Sequence, residues 1–352
     1  MDAHDNRVPV TLLSGFLGAG KTTLLNNLIR DPQAGRIAVI MNEFGDVGLD
    51  HDLIEEVSGD IVLMHAGCLC CSIRGDLART MIHLLSRRKR GSLIFDRVVI
   101  ETTGIADPGP IVNTMVTDDL IADNYRLDGV IVLADAATGP NTLDSQIEAV
   151  SQVAMADLIV VTKSDLVTPA ECAEFEERLE AINGRVPRVR ADHGRVPIHY
   201  IFDLSAMRSD ATSAEIARWM GAVDADLPTD HRHHKISSAS IEVSEPIPAD
   251  VFDFWLDTLL ALKGPDILRM KGIVHVEGME QPFVFHGVQH IFDDAVPLNT
   301  WSGKDTKSRV VLIARNMDEN ELKAGLEILL GRINKASPGA GDKVFETSEM
   351  PF

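Results

Sequence analysis

Val10-Thr11-Leu12-Leu13-Ser14-Gly15-Phe16-Leu17-Gly18-Ala19-Gly20-Lys21-Thr22-Thr23-Leu24-Leu25-Asn26-Asn27-Leu28-Ile29 decides the fold. Val10 to Leu13 reads as a buried strand, and Leu24, Leu25, Leu28 and Ile29 share one face of a helix over Lys21 to Ile29. Between them Gly15 to Thr22 spells Gly-x-x-x-x-Gly-Lys-Thr, in the strand–loop–helix context that a phosphate-binding loop requires. Successive backbone N–H groups and the helix dipole cradle phosphates there. Lys21 is expected at the β and γ phosphates and Thr22 on Mg²⁺. Gly15, Gly18, Ala19, Gly20, Lys21, Thr22 and Thr23 form the expected phosphate set. A bare glycine turn would leave Lys21 unexplained.

The same texture continues on either side of this loop. Short apolar runs stand at Ile37 to Met41, Ile61 to Met64, Arg97 to Ile100, Gly129 to Ala134, Leu158 to Val161 and Ile198 to Leu204. Amphipathic stretches such as Pro169 to Ile182 lie between them. That alternation predicts an α/β domain over residues 1–223, a mostly parallel sheet flanked by helices. Residues 224–236 are polar and aperiodic, and read as a linker. Residues 237–334 offer strands around Ser238 to Val243, Ile267 to Val276, Pro282 to Val288 and Arg309 to Ala314, with helices at Ala249 to Leu262 and Glu319 to Leu330. They predict a smaller α+β domain. Residues 335–352, rich in Gly, Ser and Pro, are expected to form a mobile tail.

Further candidates follow the apolar runs. Thr162-Lys163-Ser164-Asp165 resembles the guanine motif Asn-Lys-x-Asp with Thr in place of Asn; Asp165 would accept from the guanine edge while the stem of Lys163 covers the ring. Because a buried unpaired polar edge costs about 1–3 kcal/mol, Asp165 favours GTP over ATP. Ser205-Ala206 stands where a second guanine-contacting loop is expected. Glu101, ending the Arg97 to Ile100 run, suits the water shell of Mg²⁺, and Gly104 can turn its N–H toward a γ phosphate. Asn42 to Asp46 and Glu101 to Gly104 are thus candidate switch segments. Lys21, Glu43 and Glu101 are the catalytic candidates, and Glu43, Asp46 and Glu101 are all eligible to position the attacking water.

Cys68-Leu69-Cys70-Cys71 is the second chemical signal. Thiolates are soft ligands suited to Zn²⁺, Cu⁺ or, with harder partners, Co²⁺. Cys68 with one of the adjacent Cys70 and Cys71 is expected to bind an ion, completed by a residue such as Glu43 or His65. Redox chemistry at Cys68 and Cys71 is the rival, without thioredoxin-like surroundings. His231, His233 and His234 offer transient metal capture, against the plainer reading of a solvated linker. Arg87 to Arg90 reads as a helix end and Cys172 as a semi-buried thiol.

The chain has 352 residues, four cysteines and a formal net charge of -20, with a pI near 4.9. Such a charge opposes binding to nucleic acid or an anionic membrane. No apolar run approaches the roughly 18 residues needed to span a bilayer, and the start lacks the order of a signal peptide. A cytoplasmic location is expected, with thiols rather than a disulfide framework.

Taken together, Gly15 to Thr23, Asn42 to Gly48, Gly67 to Leu77, Glu101 to Pro108 and Thr162 to Asp165, with Lys271-Gly272 and Pro282 to Val288 beyond, resemble the CobW/YjiA-like metallochaperone GTPases, the cobalamin-synthesis-protein family. The resemblance spans roughly Val8 to Leu330, and the cysteine stretch is its most specific part. It implies a P-loop GTPase domain with a CobW-like C-terminal domain, cycling between GTP and GDP with Mg²⁺ and delivering Zn or Co to a metal-recipient protein. Cys68, Cys70 and Cys71 would be the family's metal motif; assembly as a homo-oligomer stays open. The alternatives are a metal sensor or buffer whose nucleotide regulates partner docking, and a P-loop kinase acting on a small molecule.

Overall fold

The computed structural model describes residues 5–41, 62–65, 73–184, 186–221, 236–289, 291–292, 294–299, 301, 307–317 and 320–322, with the backbone alone at 62–65 and 73–74. Among them seven strands form one sheet: Val8–Gly15 (β1), Ile37–Met41 (β2), Val62–His65 (β3), Arg97–Glu101 (β4), Tyr125–Asp135 (β5), Leu158–Thr162 (β6) and Arg188–Arg190 (β7). Their order is β3-β2-β4-β1-β5-β6-β7, and every pairing is parallel. Strands such as Ile-Ala-Val-Ile-Met and Leu-Ile-Val-Val-Thr are buried throughout, as strands covered on both faces must be.

The first unit also holds Lys21–Arg30 (α1), Ile73–Lys89 (α2), Gly109–Thr117 (α3), Asp119–Ala122 (α4), Gly139–Ser145 (α5), Ile147–Met155 (α6), Pro169–Ile182 (α7) and Ile198–Ile201 (α8). Leu24, Leu25 and Leu28 of α1 join Leu13, Val39, Val99, Leu133, Val160, Ile201 and Phe202 in one core. The start of α7 carries Pro169 in its first turn and a capping box between Thr168 and Glu171, which satisfies N–H groups that the helix itself cannot. The basic run ends α2 as expected, with Arg87, Arg88 and Lys89 in its last turn.

Two expectations are corrected. The run Ile198 to Leu204 is not a strand: Ile198 and Ile201, three positions apart in α8, and Phe202, the residue that ends the helix, pack into the core. The edge position falls to the three-residue β7 instead. The first domain also does not run to residue 223, because Ala206–Met220 belongs to the second unit. Ser213–Met220 (α9) and the turn before it bring Ala206, Ala211, Ile216, Trp219 and Met220 onto Ile273, Val284, Leu298 and Val311. They bury a sheet face that would otherwise be wet.

That second sheet comprises Ile236–Val243 (β8), Ile267–Val274 (β9), Phe283–Val288 (β10), Ile291–Phe292 (β11), Val296–Pro297 (β12) and Ser308–Arg315 (β13), paired antiparallel in the order β11-β10-β9-β13-β8, with β12 on β10. Ala249–Lys263 (α10) covers its other face through Phe252, Trp255 and Leu259. Of the expected last helix, residues 320–322 are described and helical. No helix of the described residues is long and apolar enough to cross a membrane.

Candidate nucleotide site

Gly15 closes β1, and α1 starts at Lys21 after Gly20. Gly18 and Gly20 hold φ of 76° and 95°, left-handed conformations that glycine adopts without steric cost. The turn folds the loop around Lys21, whose ammonium donates to the carbonyls of Gly15 at 2.8 Å and Phe16 at 3.3 Å. Lys21 is buried, so its charge lies in low dielectric at the mouth of a helix whose first N–H groups have no intrahelical acceptor. A polyphosphate offers that ammonium a stronger, charged acceptor than the two carbonyls. Ala19 is buried, while Thr23 is exposed and its methyl lies against Gly194.

Parallel register lines the other candidates along the same carboxyl edge. Leu13 of β1 pairs with Glu101 of β4, Glu101 with Met41 of β2, and Met41 with His65 of β3. Adjacent strands lie about 4.8 Å apart, so His65 stands roughly 10 Å along the edge from Glu101. On the other side Gly15 pairs with Leu133, and Asp135 with Thr162. This edge, where the chain crosses from β4 over β1 to β5, is the place where open parallel sheets hold ligands.

Glu101 is buried and accepts from the Thr22 hydroxyl at 3.0 Å. A hydroxyl and a carboxylate beside a phosphate loop are hard oxygen donors, the set that suits Mg²⁺. After Glu101 the chain is held against β1: Thr102 N–H donates to Leu13 O at 2.9 Å, and the Thr102 hydroxyl donates to Ser14 Oγ at 3.1 Å. Gly104 then comes so near the phosphate loop that a Cβ there would sit 2.6 Å from the backbone nitrogen of Leu17. Only glycine allows that approach.

The base-recognition candidates lie across β5 and β6. Thr162 donates its hydroxyl to Ala19 O at 2.8 Å, tying this segment to the phosphate loop. Lys163 adopts φ of 55° and sends its ammonium to Asp135 Oδ2 at 2.7 Å. Asp165 is exposed within a short 3-10 turn, and Ser205 is buried. Asp135 escaped the sequence reading, although it ends β5 as Glu101 ends β4. It also accepts from the N–H of Ala137 at 2.8 Å and the hydroxyl of Thr138 at 2.9 Å. Burial works to raise its carboxyl, but Lys163, Thr138 and Ala137 outweigh that and hold it below the usual carboxylate range. Gln152 of α6 was missed as well: its amide donates to Gly104 O and Ala106 O at 3.3 and 3.0 Å.

Glu43, Asp46, Cys68, Cys70, Cys71, His231, His233 and His234 lie outside the described residues. Among the described residues no group of three or more His, Cys, Asp or Glu could hold a metal ion. The strand leading toward Cys68 ends at His65, on the nucleotide edge. Cys172 is buried rather than semi-buried, and burial raises its thiol.

Comparison with known proteins extends this geometry. The zinc chaperone YjiA of Escherichia coli strain K12 is 35% identical over 320 residues, covering 91% of this chain and 98% of that protein. The zinc-regulated GTPase metalloprotein activator 1 of Schizosaccharomyces pombe is 31% identical over 353 residues, covering 89% and 84%. The crystal structure of Zn(II)-bound YjiA GTPase from E. coli matches with a TM-score of 0.72 at 30% identity, covering 92% of this chain and 99% of that one. Residues 9–190 match the model of the CobW/HypB/UreG nucleotide-binding domain, and residues 236–330 that of the cobalamin synthesis protein cobW C-terminal domain. With a P-loop GTPase fold followed by an antiparallel C-terminal domain, this chain belongs to the CobW family.

Proposed function

We propose that this chain hydrolyses GTP and uses the nucleotide cycle to load a zinc ion and pass it to a client protein. The observation that carries the reading is the register across β1, β4, β2 and β3, which sets Gly15, Glu101 and His65 on one edge. In this reading Gly15 to Thr23 holds the phosphates, with Lys21 moving from the loop carbonyls to the β and γ phosphates. Thr22 and Glu101 hold Mg²⁺, which supplies neutralisation of charge developing on the transferred phosphoryl group. Thr162, Lys163, Asp165 and Ser205 surround the base, and Gly104 presents its N–H to the γ phosphate. Glu43, Asp46 or Glu101 orients the attacking water.

The cargo is held by Cys68, Cys70 and Cys71 with Glu43, a thiolate-rich set that suits Zn²⁺ and accepts Co²⁺. Support comes from the zinc chaperone and zinc-regulated GTPase relatives. Exchange between states demands different affinities for the ion; about 5.5 kcal/mol separates a population of about one per cent from about ninety-nine. The test is Zn²⁺ affinity of the full chain with a non-hydrolysable GTP analogue and with GDP, repeated with Cys68, Cys70 and Cys71 each changed to Ser. The expected result is at least about tenfold between the nucleotide states, a difference of about 1.4 kcal/mol, and loss of tight binding in the Ser variants. Equal affinities sink the coupling, and unaffected Ser variants sink the site. Repeating the titration with Co²⁺ identifies the preferred cargo.

A further inference from the structure

Gln152 is a polar side chain on the buried face of α6, 1% exposed, among buried Ala149, Val150, Val153 and Met155. Packing alone would be met by Leu or Met at that position, since a buried amide must recover its lost hydration through hydrogen bonds. Its Nε2 spends both protons on one short segment, donating to Gly104 O at 3.3 Å and Ala106 O at 3.0 Å. Two carbonyl acceptors fix the orientation of the amide, because the reversed group would set oxygen against oxygen. Its own Oε1 is buried without a donor among the described residues, as is the hydroxyl of Thr103 in the held segment. The contact therefore exists for what it holds.

What it holds is the stretch that passes the phosphate loop. Thr102 anchors that stretch to β1 on one side, a turn closes from Ala106 N–H to Thr103 O at 3.1 Å, and Gly104 abuts Leu17. Gln152 reaches it from α6, 48 positions along the chain from Gly104. We propose that Gln152 is a positioning residue of the nucleotide site: by gripping Gly104 and Ala106 it keeps Gly104 against the phosphate loop, where its N–H distinguishes a nucleoside triphosphate from a diphosphate. The inference rests on the proposed assignment of Gly104 to the γ phosphate.

The experiment compares the full chain with its Gln152→Met and Gln152→Glu variants, titrating each with a fluorescent non-hydrolysable GTP analogue and with fluorescent GDP. Met fills the space without donating. Loss of two neutral hydrogen bonds is expected to weaken the analogue by about tenfold and GDP by less than about twofold. Glu at this position turns acceptors toward two carbonyls at about pH 8, and donates to one of them once protonated near about pH 5.5. Its preference for the analogue should therefore return on acidification relative to the unchanged chain at each pH.

Equal weakening of both nucleotides, no change in either, or loss of GDP binding in both variants overturns the proposal and assigns Gln152 to packing. If the unchanged chain itself fails to distinguish the analogue from GDP, the assignment of Gly104 fails first, and that result is visible without any variant.

Discussion

Replacing Asp135 with Asn removes a charge while keeping the shape of the side chain, and the four donors around the carboxylate respond differently. Asp135 Oδ1 accepts from the N–H groups of Ala137 and Thr138, at 2.8 and 3.3 Å, and an Asn oxygen can keep both. Oδ2 accepts from the Thr138 hydroxyl at 2.9 Å and the Lys163 ammonium at 2.7 Å. A hydroxyl can rotate to face an amide nitrogen, but an ammonium has nothing to accept with, so the Lys163 contact is lost. A hydrogen bond to a charged group contributes about 1.5–3 kcal/mol when buried. The Lys163 side chain is 38% exposed, and screening reduces the expectation to about 1 kcal/mol. That corresponds to a Tm lower by about 2–4 °C. Because Lys163 is expected over the base, GDP affinity should fall about fivefold. The carboxyl of Asp135 titrates below its ordinary value, so its contribution is present above the unfolded pKa of about 3.9 and disappears as pH falls through the folded one. The stability gap between the two proteins should therefore be constant near neutrality and close below about pH 4. Calorimetry across pH with GDP titration at pH 7 measures both effects. An Asn variant that loses stability but binds GDP unchanged would refute the link to base recognition and leave Asp135 as a turn former.

Two further substitutions probe neighbouring contacts. Gly104→Ala drives a methyl toward the Leu17 backbone, a clash that costs about 1–3 kcal/mol and that only movement of the segment relieves; single-turnover GTP hydrolysis should slow at least about tenfold, and an unchanged rate contradicts the close approach. Thr162→Val keeps the volume but withdraws the donor from Ala19 O. It should cost about 1–3 kcal/mol in thermal or denaturant unfolding and weaken GDP; a variant as stable as the parent shows that the bridge is dispensable.

The phosphate loop was readable because its chemistry is contiguous: strand, glycines, Lys21 and helix succeed one another without a break. Glu101 and Thr162 were readable for a related reason, since each ends an apolar run whose direction in a parallel sheet fixes the edge it reaches. Asp135 and Gln152 were not. Asp135 is defined by Lys163, 28 positions away, and Gln152 by carbonyls of Gly104 and Ala106, 48 and 46 positions away; no local pattern marks such partners. Ile198 to Leu204 misled because apolar density suits a strand and a short helix alike, and only the spacing of Ile198, Ile201 and Phe202 separates them. Likewise the amphipathic α9 carries an apolar face without saying which sheet it will cover.

Gly15, Glu101, Asp135 and Thr162 are the last residues of their strands, not residues of the loops beyond them. A loop residue that grips a ligand gives up backbone freedom when it does so, about 1–2 kcal/mol each. These four surrendered theirs when the sheet formed, so the entropy of ordering them is charged to folding and not to ligand capture.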